Sequence, residues 1–240
     1  WIALASEDIG DQYRRTTLGP FWLLGNYLAF VGTFIILFGD RGGEGFPAYA
    51  GIGLLVWLFI SETLIQSTRL FSREAAFIKG TTLPLTTYVL RQAMQSVIRS
   101  GYALIGCIGI LVVAGVEPSL LWLWSVAGAA IVLLAAPPAI LLFAVGGAYF
   151  PDLQFIVQNL MRLGMFMTPI FWGNDGVTGI RAAVYRWNPF TYFVEIVRVP
   201  VIQGTVPLAA LLFCTAIVVV LWCIGLILLG KSRKQIVFVI

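Results

Sequence analysis

Between Thr16 and Gly230 the sequence carries six apolar stretches, each long enough to cross a bilayer, and almost every charge falls in the segments that join them. A hydrocarbon core about 30 Å thick asks for ~20 predominantly apolar residues per helix and offers no water to a broken backbone. The pattern predicts an all-α integral membrane protein with six transmembrane helices, at 19–39, 47–66, 97–116, 119–147, 153–172 and 206–230. Proline, glycine and charge-free runs set those boundaries.

The same residues exclude several kinds of chemistry. The chain has no histidine, which rules out imidazole acid–base catalysis and histidine metal sites. Cys107, Cys214 and Cys223 lie in apolar stretches at unrelated spacings, which suits neither a disulfide framework nor zinc, and they read as packing residues. A net charge of +4 gives no support to nucleic-acid binding. The first residue is Trp1 rather than methionine, so further N-terminal sequence is expected.

Orientation follows from lysine and arginine. Arg14 and Arg15 precede the first span, Arg69, Arg73, Lys79, Arg91 and Arg99 follow the second, and Lys231, Arg233 and Lys234 follow the last. Arg41, Arg181, Arg186 and Arg198 fall on the opposite side. The positive-inside rule then places both termini in the cytoplasm.

Three connecting segments are more than turns. In residues 1–15, Ile2, Ala5, Ile9 and Tyr13 share one helical face, which predicts a helix lying in the cytoplasmic interface; the alternative is a soluble helix packed on a partner. Residues 67–97 form a basic cytoplasmic segment broken by Gly80 and Pro84. Residues 173–205 are too few to cross twice, yet Tyr185, Trp187, Phe190, Tyr192 and Phe193 crowd around Asn188 and Pro189. An external re-entrant helical segment between the fifth and sixth spans fits them, and an interfacial aromatic belt is the alternative.

The run Gly225 to Ser232, GLILLGKS, matches the phosphate-loop pattern but lies at the end of an apolar helix, where backbone amides are already bonded. Lys231 there reads as a topological anchor.

Four blocks carry a family resemblance. YRRTTLGPFW (Tyr13 to Trp22) closely resembles the junction of interfacial helix and first span in permease subunits of bacterial ABC transporters that export polysaccharides, O-antigens and teichoic acids. YFPDLQFIVQNLMRLGMFMTPIFW (Tyr149 to Trp172) and NPFTYFVEIVRVPVIQG (Asn188 to Gly204) are similar to the same family, and AFIKGTTLPL (Ala76 to Leu85) matches more loosely. Pro151 stands where many members carry arginine, and Gly80-Thr81-Thr82 replaces a more basic or aromatic run.

The resemblance implies a permease that pairs with a second copy of itself and with two ATP-binding subunits. This chain would then hold no cofactor and perform no catalysis, because ATP and magnesium belong to the partner. It implies that Glu74, Phe77 and Lys79 couple to the ATPase, and that a lipid-linked glycan of O-antigen, capsule or teichoic acid type crosses the bacterial inner membrane between two protomers. Arg14 and Arg15 sit where a lipid pyrophosphate would be admitted, since guanidinium binds phosphate oxygens bidentately; topology control is the other reading. Tyr185, Trp187, Phe190, Tyr192 and Phe193 are placed to line the external end of the pathway with sugar-binding aromatic faces.

Arg162 stands near the centre of the fifth span, where facing lipid costs about 2.5–3.5 kcal/mol. It faces the pathway or protein, with Glu62 and Gln66 as candidate partners, unless the helix begins later and the side chain snorkels. Two other functions compete: export of small lipophilic solutes, and an enzyme acting on lipid-linked sugars, for which the spans supply almost no polar cluster.

Overall fold

The computed structural model describes residues 1–43, 45–80, 83–173, 178–232 and 236, without the side chains of Asp40, Arg41 and Ser232. The expectations for Arg41, Arg233, Lys234, Thr81 and Thr82, and for part of the 173–205 segment, lie outside that set. All regular structure among the described residues is helical: α1 (Ile2–Tyr13), α2 (Phe21–Gly42), α3 (Phe46–Ser67), α4 (Leu70–Arg73), α5 (Ala75–Gly80), α6 (Leu85–Val113), α7 (Trp122–Tyr149), α8 (Leu153–Met167), α9 (Ile180–Trp187), α10 (Pro189–Ile202) and α11 (Leu208–Ser232).

Five of these are long and apolar enough to cross a membrane, over Phe21–Gly39, Phe46–Ser67, Leu85–Val113, Trp122–Tyr149 and Leu208–Lys231. Two boundaries differ from expectation. The third span, expected at 97–116, belongs to a 29-residue helix that starts at Leu85. The extra turns carry Arg91, Gln92 and Gln95, whose spacing turns polar side chains inward, so the helix continues beyond the apolar run. The stretch expected to cross at 153–172 holds a helix of only 15 residues, about 22 Å long at 1.5 Å per residue. It stops at Thr168, whose ψ of 138° is the extended conformation that the following Pro169 favours.

The path of that stretch is nevertheless fixed at both ends. Arg69, just beyond the last residue of α3, hydrogen-bonds Gln154 at the start of α8. Tyr49, near the start of α3, donates its hydroxyl to the carbonyls of Pro169 and Trp172 at 3.2 and 2.9 Å. Residues 154–172 therefore run antiparallel along the whole of α3, the extended residues after Thr168 covering distance that α8 does not.

α3 is the hub, packing against α2, α6, α7, α8 and α10, and it buries Leu54 and Trp57. α7 approaches its neighbours so closely that side chains are excluded. A Cβ on Gly147 would lie 1.9 Å from the Thr68 carbonyl oxygen, and one on Gly128 would lie 2.3 Å from that of Ile196. Ile196 is four residues before Pro200, which has no N–H to return to it. Nearby, Ser125 of α7 donates its hydroxyl to the Val197 carbonyl at 2.7 Å, binding α10 to α7 through its backbone. Outward, α2, α8 and α11 present a belt of exposed Ile, Leu, Val and Phe side chains. Cys107 and Cys214 are buried, as packing residues are, whereas Cys223 is exposed on α11. The GLILLGKS run lies within α11.

Candidate functional site

At the end of the bundle formed by α1, α4 and α5, a polar network joins three parts of the chain. Arg91 of α6 grips Asp8 of α1 with two nitrogens, Nε donating to Oδ2 at 2.6 Å and Nη2 to Oδ1. Gln95, one turn on, also donates to Asp8. The remaining Arg91 nitrogen reaches Glu74 at 3.3 Å, and Glu74 meets Arg73 at the same distance; Arg73 in turn donates to Gln92 at 3.0 Å. Partial burial would raise the Asp8 carboxyl, but the bonds and charge of Arg91 outweigh it and hold Asp8 below its ordinary value. Asp8 can meet α6 because Ala5 and Ile9 beside it bury against the bundle, while Ile2, at the start of the same face, and Leu4 stay exposed.

That network decides how Glu74, Phe77 and Lys79, the residues expected to couple, are presented. Glu74, between α4 and α5, is turned inward and only 9% exposed. Phe77 is 63% exposed and Lys79 is exposed, so these two face outward from α5. Arg14 and Arg15 are both exposed in the turn from α1 to α2, Arg14 lying 3.7 Å from Asp11. Gly19, with φ +55°, closes that turn.

Arg162 is exposed on α8 and carries no hydrogen bond or ion pair among the described residues; no ion pair joins it to Glu62. It shares that face with exposed Gln158 and Asn159, while Val157 and Met161 are the buried residues of the helix. The aromatics of α9 and α10 do not gather on one surface. Trp187 is 87% exposed, Phe190 packs edge-on to Trp57 and Tyr192 bonds the Arg186 carbonyl at 2.9 Å. Tyr185 donates to Glu195, and Phe193 is buried in the core.

Sequence reasoning counted Arg198 among the charges of the external side; the structure puts it inside α10 at 3% exposure. Its Nη1 donates to the Pro169 carbonyl at 2.6 Å and its guanidinium carbon stands 3.7 Å above the centre of the Tyr49 ring. A buried guanidinium needs such partners. Asn188 completes the joint: its oxygen caps α10 at the Phe190 amide, 3.0 Å away, and its amide donates to Thr168 at 2.9 Å. The signal available in sequence was the aromatic and proline neighbourhood of Arg198, which resembles a core more than a loop.

No protein-family model matches the chain. Two curated proteins from Klebsiella pneumoniae, each described as O-antigen export system permease protein RfbA, are similar to it. One is 23% identical, over 98% of this chain and 92% of its own length; the other is 24% identical, over 78% and 74%. The resemblance read in the sequence, to a permease subunit of an O-antigen-exporting ABC transporter, is thus borne out along almost the entire chain.

Proposed function

We propose that this chain is the transmembrane half of an ABC exporter that moves a lipid-linked polysaccharide out of the cytoplasm across the bacterial inner membrane. Two copies would work with two ATP-hydrolysing subunits. The observation that carries this reading is the similarity to O-antigen export permeases over 98% of the chain.

The geometry supports the parts of the reading. Phe77 and Lys79 project from α5 at the basic end of the bundle, where an ATPase cleft would receive them, while Glu74 holds α5 in place from behind. Arg14 and Arg15 stand at the same end, at the level of lipid phosphates if α1 lies in the interface. Residues 154–172 provide the sixth crossing, and α9 with α10 the re-entrant return, α10 being sunk among α3, α7 and α11. α8 begins at Leu153, which leaves Arg162 about 13 Å along it. A guanidinium at that depth, beside Gln158 and Asn159, suits a water-filled path between two protomers better than lipid.

The test is a strain from which the gene is deleted, with surface glycan measured by labelled lectin and lipid-linked glycan measured inside the cell. Loss of the first with accumulation of the second is expected. Unchanged surface glycan, or loss of a small lipophilic export product instead, would replace this reading.

A further inference from the structure

A cavity of about 370 Å³ lies between α1, α2, α3 and α6. Glu62 of α3 and Arg99 of α6 bring opposite charges to its wall, and Gln12, Asn26 and Gln66 add amides. Phe30 and Phe59 contribute flat apolar surface. Ser96 also lines it; this residue is 5% exposed, and its hydroxyl has no hydrogen-bond partner among the described residues. Arg99 donates to Gln12 at 3.3 Å, so α1 forms part of the enclosure.

An orphan buried hydroxyl is costly, and because Ser96 belongs to the cavity wall, a change of rotamer would bring its oxygen a partner there. The carboxylate accepts, the guanidinium donates, and the amides and serine do both. Such a lining suits a molecule whose polar atoms are hydroxyls, each able to donate and accept. Apolar ring faces suit its C–H surfaces. A phosphate is disfavoured, because Glu62 offsets Arg99 and repels a second anion. The volume is at the lower end of small-molecule sites and accommodates a pyranose ring.

We infer that this cavity binds a neutral sugar unit through Glu62, Arg99, Asn26 and Ser96. The inference rests on the polysaccharide-export reading, and adds to it a glycan-binding position inside one protomer, separate from the face of α8.

The test uses the full chain in phosphatidylcholine nanodiscs. Saturation-transfer NMR is recorded with methyl glucoside, galactoside, mannoside and N-acetylglucosaminide, and inorganic pyrophosphate is added as competitor. At least one glycoside should receive saturation and pyrophosphate should not displace it. Glu62→Gln should weaken binding about tenfold, as expected for loss of a charged hydrogen bond, and Ser96→Leu should abolish it. Ser100→Leu, at a half-buried lining position, should also block binding and serves if the first leucine prevents folding. Absence of transfer to all four glycosides, displacement by pyrophosphate, or equal binding by the variants overturns the inference. In cells, wild-type surface glycan with Glu62→Gln removes the cavity site and leaves the exporter reading intact; unchanged surface glycan in the deletion strain removes both.

Discussion

The indole Nε1–H of Trp222 in α11 donates at 3.0 Å to the carbonyl oxygen of Leu134 in α7. Leu134 is four residues before Pro138, which lies inside α7 and has no N–H to offer it. A side chain from one helix thereby satisfies the backbone that a proline frees in another, in a region where no water is at hand. Trp222→Phe keeps the apolar bulk and removes the donor. It should cost about 1 kcal/mol, seen as a lower unfolding midpoint of the detergent-solubilised protein; an unchanged midpoint would mean that another group has taken over the bond.

Close approach of α7 depends on glycine. Gly147→Ala places a methyl group 1.9 Å from the Thr68 carbonyl oxygen, so the two helices must separate. Accumulation of folded protein should fall sharply, at a cost above the ~0.5–3 kcal/mol of ordinary substitutions. Gly109→Ala, with nothing within 4 Å in α6, should be neutral or stabilise by up to about 1 kcal/mol. Equal yields of the two variants would contradict the packing described for α7.

Docking of α1 should depend on pH through Asp8. Its carboxyl is held below the ordinary value in the folded chain, so the contribution is fully present above the unfolded pKa of about 3.9 and disappears as pH falls through the lower, folded value. Protease cleavage within residues 2–13 should stay slow as pH drops through the ordinary carboxylate range and rise only below it. Arg91→Met should make the segment susceptible at neutral pH as well, and equal cleavage of wild type and variant would exclude the pair as the anchor of α1.

Glu74 and its neighbours should separate in their effects. Substituting Phe77 and Lys79 together with alanine changes outward-facing side chains and should leave melting unchanged, while glycan-stimulated ATP hydrolysis by the assembled complex falls several-fold. Glu74→Gln should instead loosen α1 in the protease assay, because Arg91 and Arg73 lose their shared acid. Wild-type ATP hydrolysis from the double alanine variant would move the docking surface elsewhere.

Arg162→Met should fold normally, since Arg162 has no acid partner among the described residues to be stranded. Surface glycan should fall if the charge serves transport. A stable variant with full export would leave α8 as scaffold, and an unstable one would point to a partner for Arg162 beyond the described residues, such as a second copy of the chain.

Sequence alone determined the spans of α2, α3, α7 and α11, because transfer into hydrocarbon is a sum over local composition and needs no knowledge of neighbours. It also read residues 1–15 as a helix with Ala5 and Ile9 on one face, and it carried the resemblance to export permeases. Tertiary structure decided the rest. α6 begins at Leu85 rather than near residue 97 because Arg91 and Gln95 find Asp8, 83 and 87 residues away, and composition could see only their polarity. Arg198 read as an external-side charge, and the fold gives it the Tyr49 ring and the Pro169 carbonyl as partners. Glu62, with Gln66, was a candidate partner for Arg162 by its polarity, yet the packing of α3 against α6 brings it to Arg99 at one cavity wall. The physical reason is common to all three: the cost of removing a charge from water is written in the residue, but the partner that offsets it is chosen by the fold.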